Sequence, residues 1–232
     1  MLQKRASKER GHFTADWLSS YHTFSFSEYY DPQYMHFRDL RVINEDRVKP
    51  GGGFPLHPHN DMEILSLVLS GSLKHEDSFG HSEVIEAGGV QLISAGEGIR
   101  HSEYNPSQTD EVHFLQIWVF PEEKGLDPGY QFASFDLSGQ SGTPIPIANR
   151  EGADDALIIH QDTSIDFLKL ETSAHFEKSL ASGRHAWVQV IKGEILVSGV
   201  SLAAGDGLAV SNEENIDFSS VNGAEMLIFD LA

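Results

Sequence analysis

Two short stretches of the chain carry side chains that could bind a metal ion. HPHNDME, at residues 57–63, holds His57 and His59 with Glu63 four residues later, and GIRHSEYN, at 98–105, holds His101 and Glu103. Residues i and i+2 of a strand project from the same face, so each His-x-His or His-x-Glu pair would point in one direction. Imidazole and carboxylate suit Fe, Mn, Ni, Zn or Cu. Neighbouring strands would make these pairs one mononuclear metal site.

Strands are predicted around both stretches and through most of the chain. Segments rich in β-branched and aromatic residues, bounded by Gly, Pro, Asn or Asp, predict strands at 38–48, 63–71, 90–96, 112–120, 185–199 and 226–232. Helical periodicity is confined to short pieces near 14–19 and 172–181. An all-β fold is therefore expected, and it can bring the candidate ligands together inside one barrel.

The two halves of the chain resemble each other, which predicts a duplicated β-barrel. LSLVLSGSL, IEAGGVQLIS and HFLQIWVF in the first half parallel VQVIKGEIL, LAAGDGLAVS and AEMLIFDL in the second. Turn-forming residues concentrate over 121–155 and predict a linker there. We expect an N-terminal barrel over 1–135 with the metal site and a C-terminal barrel over 136–232 without one. In the second half, Phe218 aligns with His101, so the ligand set is not repeated.

Composition excludes several classes of function. The net charge is −19 with only 16 Lys and Arg residues, which argues against binding to nucleic acid or an anionic membrane. No apolar run approaches the ~20 residues that span a bilayer, and the charged N-terminal segment is not followed by the apolar stretch of a signal peptide. Cysteine is absent, so no thiolate can bind metal or act as a nucleophile. A cytoplasmic monomer is expected.

Additional motifs resemble those of one family. WLSSYHTFSFSEYYDP, GGGFPLHPHNDMEI and SAGEGIRHSEYNPS resemble the pirin family, in particular its bacterial quercetin 2,3-dioxygenase branch. The resemblance is dense over residues 10–122 and looser towards the C-terminus. It implies an all-β bicupin, two double-stranded β-helix barrels in one chain. It also implies one divalent metal held by His57, His59, His101 and Glu103, with Fe(II) favoured and Ni, Mn, Zn or Cu as alternatives.

Two functions are compatible with this resemblance. The first is a metal-dependent dioxygenase that opens flavonols such as quercetin with O₂, in which Glu103 takes the substrate's hydroxyl proton as a general base. The second is a metal-containing regulatory or redox-sensing protein that acts on a partner protein. Both functions need the same four ligands, so the sequence leaves the choice between them open.

Glu63 competes with Glu103 for the role of carboxylate ligand. Four residues of extended chain from His59 to Glu63 span about 13 Å, so only a turn or bulge would let Glu63 reach the same ion. Glu103 needs no such bend, because it lies two residues beyond His101. We therefore expect Glu103 to be the ligand and Glu63 to accept the second N–H of a ligand imidazole.

Overall fold

A computed structural model of the chain describes residues 1–232, which form twenty strands and two short 3₁₀ helices, Ser7–Glu9 and Ala153–Asp155. The strands are, in chain order, β1 (Leu2–Arg5), β2 (Gly11–Thr14), β3 (Leu18–His22), β4 (Leu40–Val48), β5 (Gly53–His59), β6 (Glu63–Ser70), β7 (Ser72–Asp77), β8 (Ser82–Glu86), β9 (Gly89–Ser94), β10 (Ile99–Tyr104), β11 (Val112–Val119), β12 (Gly129–Ser134), β13 (Ile145–Asn149), β14 (Leu157–Ile158), β15 (Thr163–Leu170), β16 (His175–Ser179), β17 (His185–Val197), β18 (Val200–Ala203), β19 (Gly207–Ser211) and β20 (Asn215–Leu231).

The chain divides into two compact units. One comprises Gly11–Phe135 and Ile159–Gln161, and the other comprises Met1–Arg10, Asp136–Ile158 and Asp162–Ala232. The longest stretch of the first unit ends at Phe135, and Asp136 begins a segment of the second. The first ten residues belong to the second unit, in which β1 pairs with β19.

The first unit consists of two antiparallel sheets that share one interior. A seven-stranded sheet has the order β12-β9-β6-β11-β4-β3-β2, and a four-stranded sheet has the order β5-β10-β7-β8. Leu73 and Ile85 of the smaller sheet pack with Val68 and Phe114 of the larger one, and all four side chains are fully buried. Burying these side chains stabilises the unit by roughly 1.5–3 kcal/mol each. The two sheets therefore form a layered barrel with its core between them.

The second unit contains one nine-stranded sheet built around two long strands, β17 and β20. These strands have 13 and 17 residues, and register shifts interrupt their pairing. Such bulges bend a strand, so one long strand can serve both sides of a barrel. The core is a large apolar cluster that includes Phe218, the residue aligned with His101. An apolar aromatic ring thus occupies that aligned position.

Both helical predictions are wrong, and the predicted linker holds more strand than expected. β3 begins within residues 14–19, and β16 lies inside 172–181. Pairing with β4 and β20 outweighs the weak local helical preference at these two places. The linker region contains β12 and β13. No helix in the structure has the length and apolar character needed to cross a membrane.

The turn between β6 and β7 depends on a glycine. Gly71 has φ +75°, and an added Cβ would lie 2.6 Å from the carbonyl oxygen of Glu111. Gly51 has a similar φ of +69°, but nothing lies within 4 Å of an added Cβ. We expect Gly51→Ala to lower the free energy of unfolding by about 1–2 kcal/mol through backbone strain, and Gly71→Ala to lower it further through the clash. Equal losses in chemical denaturation would contradict this.

Candidate metal centre

Three of the predicted ligands converge on one point. β5 and β10 are antiparallel neighbours, with His57 directly opposite His101 and His59 two residues further along β5. The ring centroid of His57 lies 4.5 Å from that of His101, and the other two separations are 4.8 and 4.9 Å. One nitrogen from each ring can be chosen so that all three lie within 4.8 Å of one another. Strand pairing has therefore assembled a three-histidine cluster.

The chemistry of this cluster fits a divalent metal ion. His101 is completely buried, and neither of its ring nitrogens has a hydrogen-bond partner. Burial, together with the neighbouring histidines, lowers the pKa of His101 to about 3 and that of His59 to about 4. Both imidazoles are therefore neutral at pH 7, and neutral imidazole is the form that binds metal. A bound ion would also satisfy a His101 nitrogen that otherwise remains unpaired at a cost in free energy.

The ring of His57 is oriented by its own strand. Its Nδ1 lies 2.7 Å from the carbonyl oxygen of Pro55. A carbonyl can only accept, so Nδ1 must carry the hydrogen and donate it. The lone pair of Nε2 is then free for a metal, and the backbone contact fixes both the tautomer and the direction of the ring.

Glu103 is fully buried, and its carboxylate is surrounded by hydrogen-bond donors. Ser66 Oγ donates to Oε1 at 3.0 Å, Gln91 Nε2 donates to Oε1 at 2.5 Å and Gln116 Nε2 donates to Oε2 at 2.9 Å. Glu103 is not in the three-histidine cluster, but it lines the same cavity as His59. The site thus has a fixed carboxylate whose position is set by three neutral side chains.

A cavity of about 760 Å³ opens beside the histidines. Its volume lies within the range of pockets that bind small molecules. Phe54 and Pro55, which lie just before His57 on β5, are both part of the lining. Aromatic rings form much of the wall: Phe13, Trp17, Phe26, Tyr29, Phe54 and Trp118. Such a cavity can hold a flat aromatic molecule against the metal centre.

Comparison with known families agrees with this geometry. The profile of the family described as Pirin matches residues 3–119, and the profile described as the quercetinase C-terminal cupin domain matches residues 146–231. The chain belongs to the pirin family. The pirin match contains the whole three-histidine cluster, and the second match covers most of the unit built on β17 and β20.

Relatives of this pirin-family chain are similar over their full length. The quercetin 2,3-dioxygenase of Escherichia coli is 46% identical, over 100% of this chain and 99% of the relative. The crystal structure of YhhW from Escherichia coli has a TM-score of 0.97 and 43% identity, over 100% of this chain and 98% of that one. A structure of bacterial pirin YhhW in complex with nickel(II) has a TM-score of 0.95 and 43% identity, over 100% and 99%. The predicted all-β bicupin fold is confirmed.

In this member of the pirin family, Glu63 faces away from the histidines. It accepts a hydrogen bond from Ser94 Oγ at 3.0 Å and one from the backbone N–H of His160 at 3.2 Å, and His160 Nδ1 lies 3.3 Å away. Burial raises the pKa of Glu63, and these hydrogen bonds oppose the rise. The expected contact with a ligand imidazole is not made. The alternation of faces is lost because β5 and β6 belong to different sheets, with Asp61 at φ +46° between them.

Sequence reasoning missed the residues that hold Glu103. Ser66, Gln91 and Gln116 are opposite one another on β6, β9 and β11, and they are nearly or fully buried. Each is a polar residue in the middle of an apolar strand: EILSLVLS, GVQLIS and VHFLQIWV. Buried polar side chains are almost always hydrogen-bonded. Three of them at matching places in adjacent strands were a sign of a shared polar partner.

Proposed function

We propose that the chain is a metal-dependent dioxygenase that opens flavonols such as quercetin with O₂. The observation that carries this proposal is a cluster of three histidines at the edge of an aromatic-walled cavity. The cavity can take a flat polyphenol beside the three histidines. Support also comes from a full-length relative that bears the name quercetin 2,3-dioxygenase.

His57, His59 and His101 would hold the ion, with Glu103 as the fourth ligand. We propose Fe(II) as the metal, since imidazole and carboxylate ligands suit it, and the nickel(II) complex of YhhW supports a divalent ion in this family. When bound, the metal supplies Lewis acidity, which lowers the pKa of a coordinated flavonol hydroxyl.

The side chains of the cavity have separate tasks in this reaction. Trp118 and Phe54 would bind the faces and edges of the flavonol rings and exclude water from the site. An oxygen of Glu103 would take the proton from the substrate's 3-hydroxyl, acting as a general base. The donors around Glu103 hold its carboxylate in one orientation. This fixed orientation reduces the reorganisation that proton transfer requires.

Purified protein should contain about one divalent metal ion per chain. The first unit has a three-histidine cluster, whereas an apolar cluster fills the core of the second. Elemental analysis after chelation, reconstitution with Fe(II) under nitrogen and desalting measures the ratio. A ratio near two, or no retained metal, would contradict the assignment of one site.

Activity is tested by oxygen uptake with quercetin. Iron-loaded protein should consume O₂ and quercetin together, and the same preparation treated with a chelator should do so only at the background rate of quercetin autoxidation. Absence of turnover in metal-loaded protein, with quercetin and several related flavonols, would refute the enzymatic proposal and support a regulatory role.

A further inference from the structure

Two polar side chains on β4 line the cavity and serve neither the histidines nor Glu103. Asn44 is 1% exposed and Asp46 is 3% exposed. Both border the same cavity as His59. The Oδ1 atom of each is buried and has no hydrogen-bond partner. Two unpaired acceptors on one cavity wall are unusual, because nearly all buried polar atoms in proteins are paired.

Strand register shows that these acceptors face the interior of the barrel. Asn44 is directly opposite Gln116, whose side chain reaches inward to Glu103. Asp46 is two residues along β4 and therefore shares this face. On its other side Asp46 is opposite Ser20, whose hydroxyl donates to its carboxyl group. That bond leaves Oδ1 of Asp46 available to a molecule in the cavity.

The buried carboxyl group of Asp46 destabilises the protein when no ligand is bound. Burial raises the pKa of Asp46 to about 7, and the charges of Glu103 and Glu45 add to the rise. A buried acceptor without a partner also destabilises the folded protein. The fold would gain from an apolar residue here, so the presence of Asp46 points to a ligand that donates hydrogen bonds.

We propose that Asn44 and Asp46 form a hydroxyl-recognition pair that accepts hydrogen bonds from phenolic hydroxyl groups of the substrate. These would be hydroxyls other than the one presented to the histidines. The proposal deepens the proposed dioxygenase function and rests on it: the preferred substrates are polyhydroxylated flavonols. A flavonol that carries only the 3-hydroxyl would leave both acceptors unpaired and would be a poor substrate. Asn44 and Asp46 are thus specificity-determining residues.

The test compares kcat/KM for quercetin and for 3-hydroxyflavone in metal-loaded protein. Wild type should prefer quercetin by about 100-fold or more, as expected when a site is built to pair substrate hydroxyls. Asp46→Leu should remove most of this preference, by lowering kcat/KM for quercetin and leaving that for 3-hydroxyflavone unchanged or higher. Asp46→Asn keeps an acceptor oxygen and should retain the preference to within about tenfold.

Glu45→Leu is the matched control, because Glu45 lies on the opposite face of β4, where it contacts His113. It should leave the preference for quercetin unchanged. Asp46→Leu should have a native circular dichroism spectrum and a Tm no lower than that of wild type, because the change removes a buried unpaired carboxyl group. If Asp46→Leu has those properties and still prefers quercetin as strongly as wild type does, the proposal is overturned.

A binding measurement separates this proposal from the proposed reaction. Trp17 and Trp118 line the cavity, so quenching of tryptophan fluorescence reports flavonol binding to metal-free protein. Asp46→Leu should weaken quercetin binding by about 10-fold or more and leave 3-hydroxyflavone binding unchanged. If wild type shows no turnover but binds quercetin with this dependence on Asp46, the hydroxyl-recognition pair stands and the dioxygenase proposal fails. Equal weakening of both ligands would contradict the pair.

Discussion

A His59→Ala variant should lose its metal and its quercetin consumption and should keep its fold. His59 is one of three clustered imidazoles, and its loss would leave two imidazoles and the Glu103 carboxylate, one ligand fewer than the proposed set, so the affinity for the ion should fall sharply. The fold should survive, because separate apolar clusters stabilise both units. We expect turnover at the background rate, less than about 0.1 metal ions per chain and an unchanged circular dichroism spectrum.

His113→Ala is a suitable control for this experiment. His113 is also a partly buried histidine on a strand of the first unit, but its Nε2 pairs with Glu45 at 3.1 Å and it does not line the cavity. Its replacement should leave metal content and turnover as in wild type. Full turnover in the His59→Ala protein would show that the metal held by this cluster does not carry the reaction.

The three-histidine cluster could be predicted from the sequence because it depends on local periodicity and one strand pairing. His57 and His59 share a face because both lie on β5. Residues 99–101 of β10 pair with residues 57–59 of β5 in a regular ladder, which sets His101 opposite His57. The resemblance to pirins located His101 at the matching place. Nothing beyond strand alternation and a short antiparallel ladder was needed to bring the rings together.

Glu63 shows where the same reasoning fails. Alternation holds only within one strand, and the chain leaves β5 at a left-handed residue, Asp61, before it enters β6 in another sheet. The side chain therefore meets Ser94 and His160, which is 97 residues away in sequence. A contact of that kind is set by the tertiary fold. No pattern in residues 57–63 predicts that Glu63 contacts Ser94 and His160.

The polar residues that line the cavity could not be predicted from the sequence, for a different reason. The stretch DLRVINED resembles an ordinary strand, and it is one, but Asn44 and Asp46 face the cavity. Gln116 lies opposite Asn44 in the neighbouring strand β11, and its side chain donates a hydrogen bond to Glu103. Alternation alone predicts which residues share a face. It does not predict whether that face meets solvent, apolar core or a ligand cavity.

The two units place different side chains at related positions. In the second unit, Phe218 occupies the position aligned with His101, and the surrounding cluster is apolar. In the first unit, the larger sheet carries Ser66, Gln91 and Gln116, whose side chains donate hydrogen bonds to Glu103. Buried polar groups cost free energy unless they are paired. The polar interior of the first unit is therefore explained by the site it surrounds and not by the stability of a barrel.

Glu103→Gln should impair the site far more than Glu63→Gln. An amide at position 103 would lose the negative charge that helps to hold a cation, and it would turn an NH₂ group towards donors. Ser66 and Gln91 both donate to one carboxylate oxygen and Gln116 donates to the other, so either orientation of the amide opposes a donor. We expect the affinity for Fe(II) to fall by more than about 100-fold, with loss of quercetin turnover.

Glu63→Gln is the matched substitution, because Glu63 is also a buried carboxylate of the first unit. Its partners are Ser94 and His160, and it touches none of the three clustered histidines. The amide can still accept from Ser94 through its oxygen, so we expect metal content within about twofold of wild type and a loss of stability of about 1 kcal/mol. Metal titration of both variants, with Tm as the measure of folding, decides between the carboxylates. If Glu63→Gln releases the metal and Glu103→Gln retains it, the ligand is Glu63, and the chain between β5 and β6 must rearrange when the ion binds.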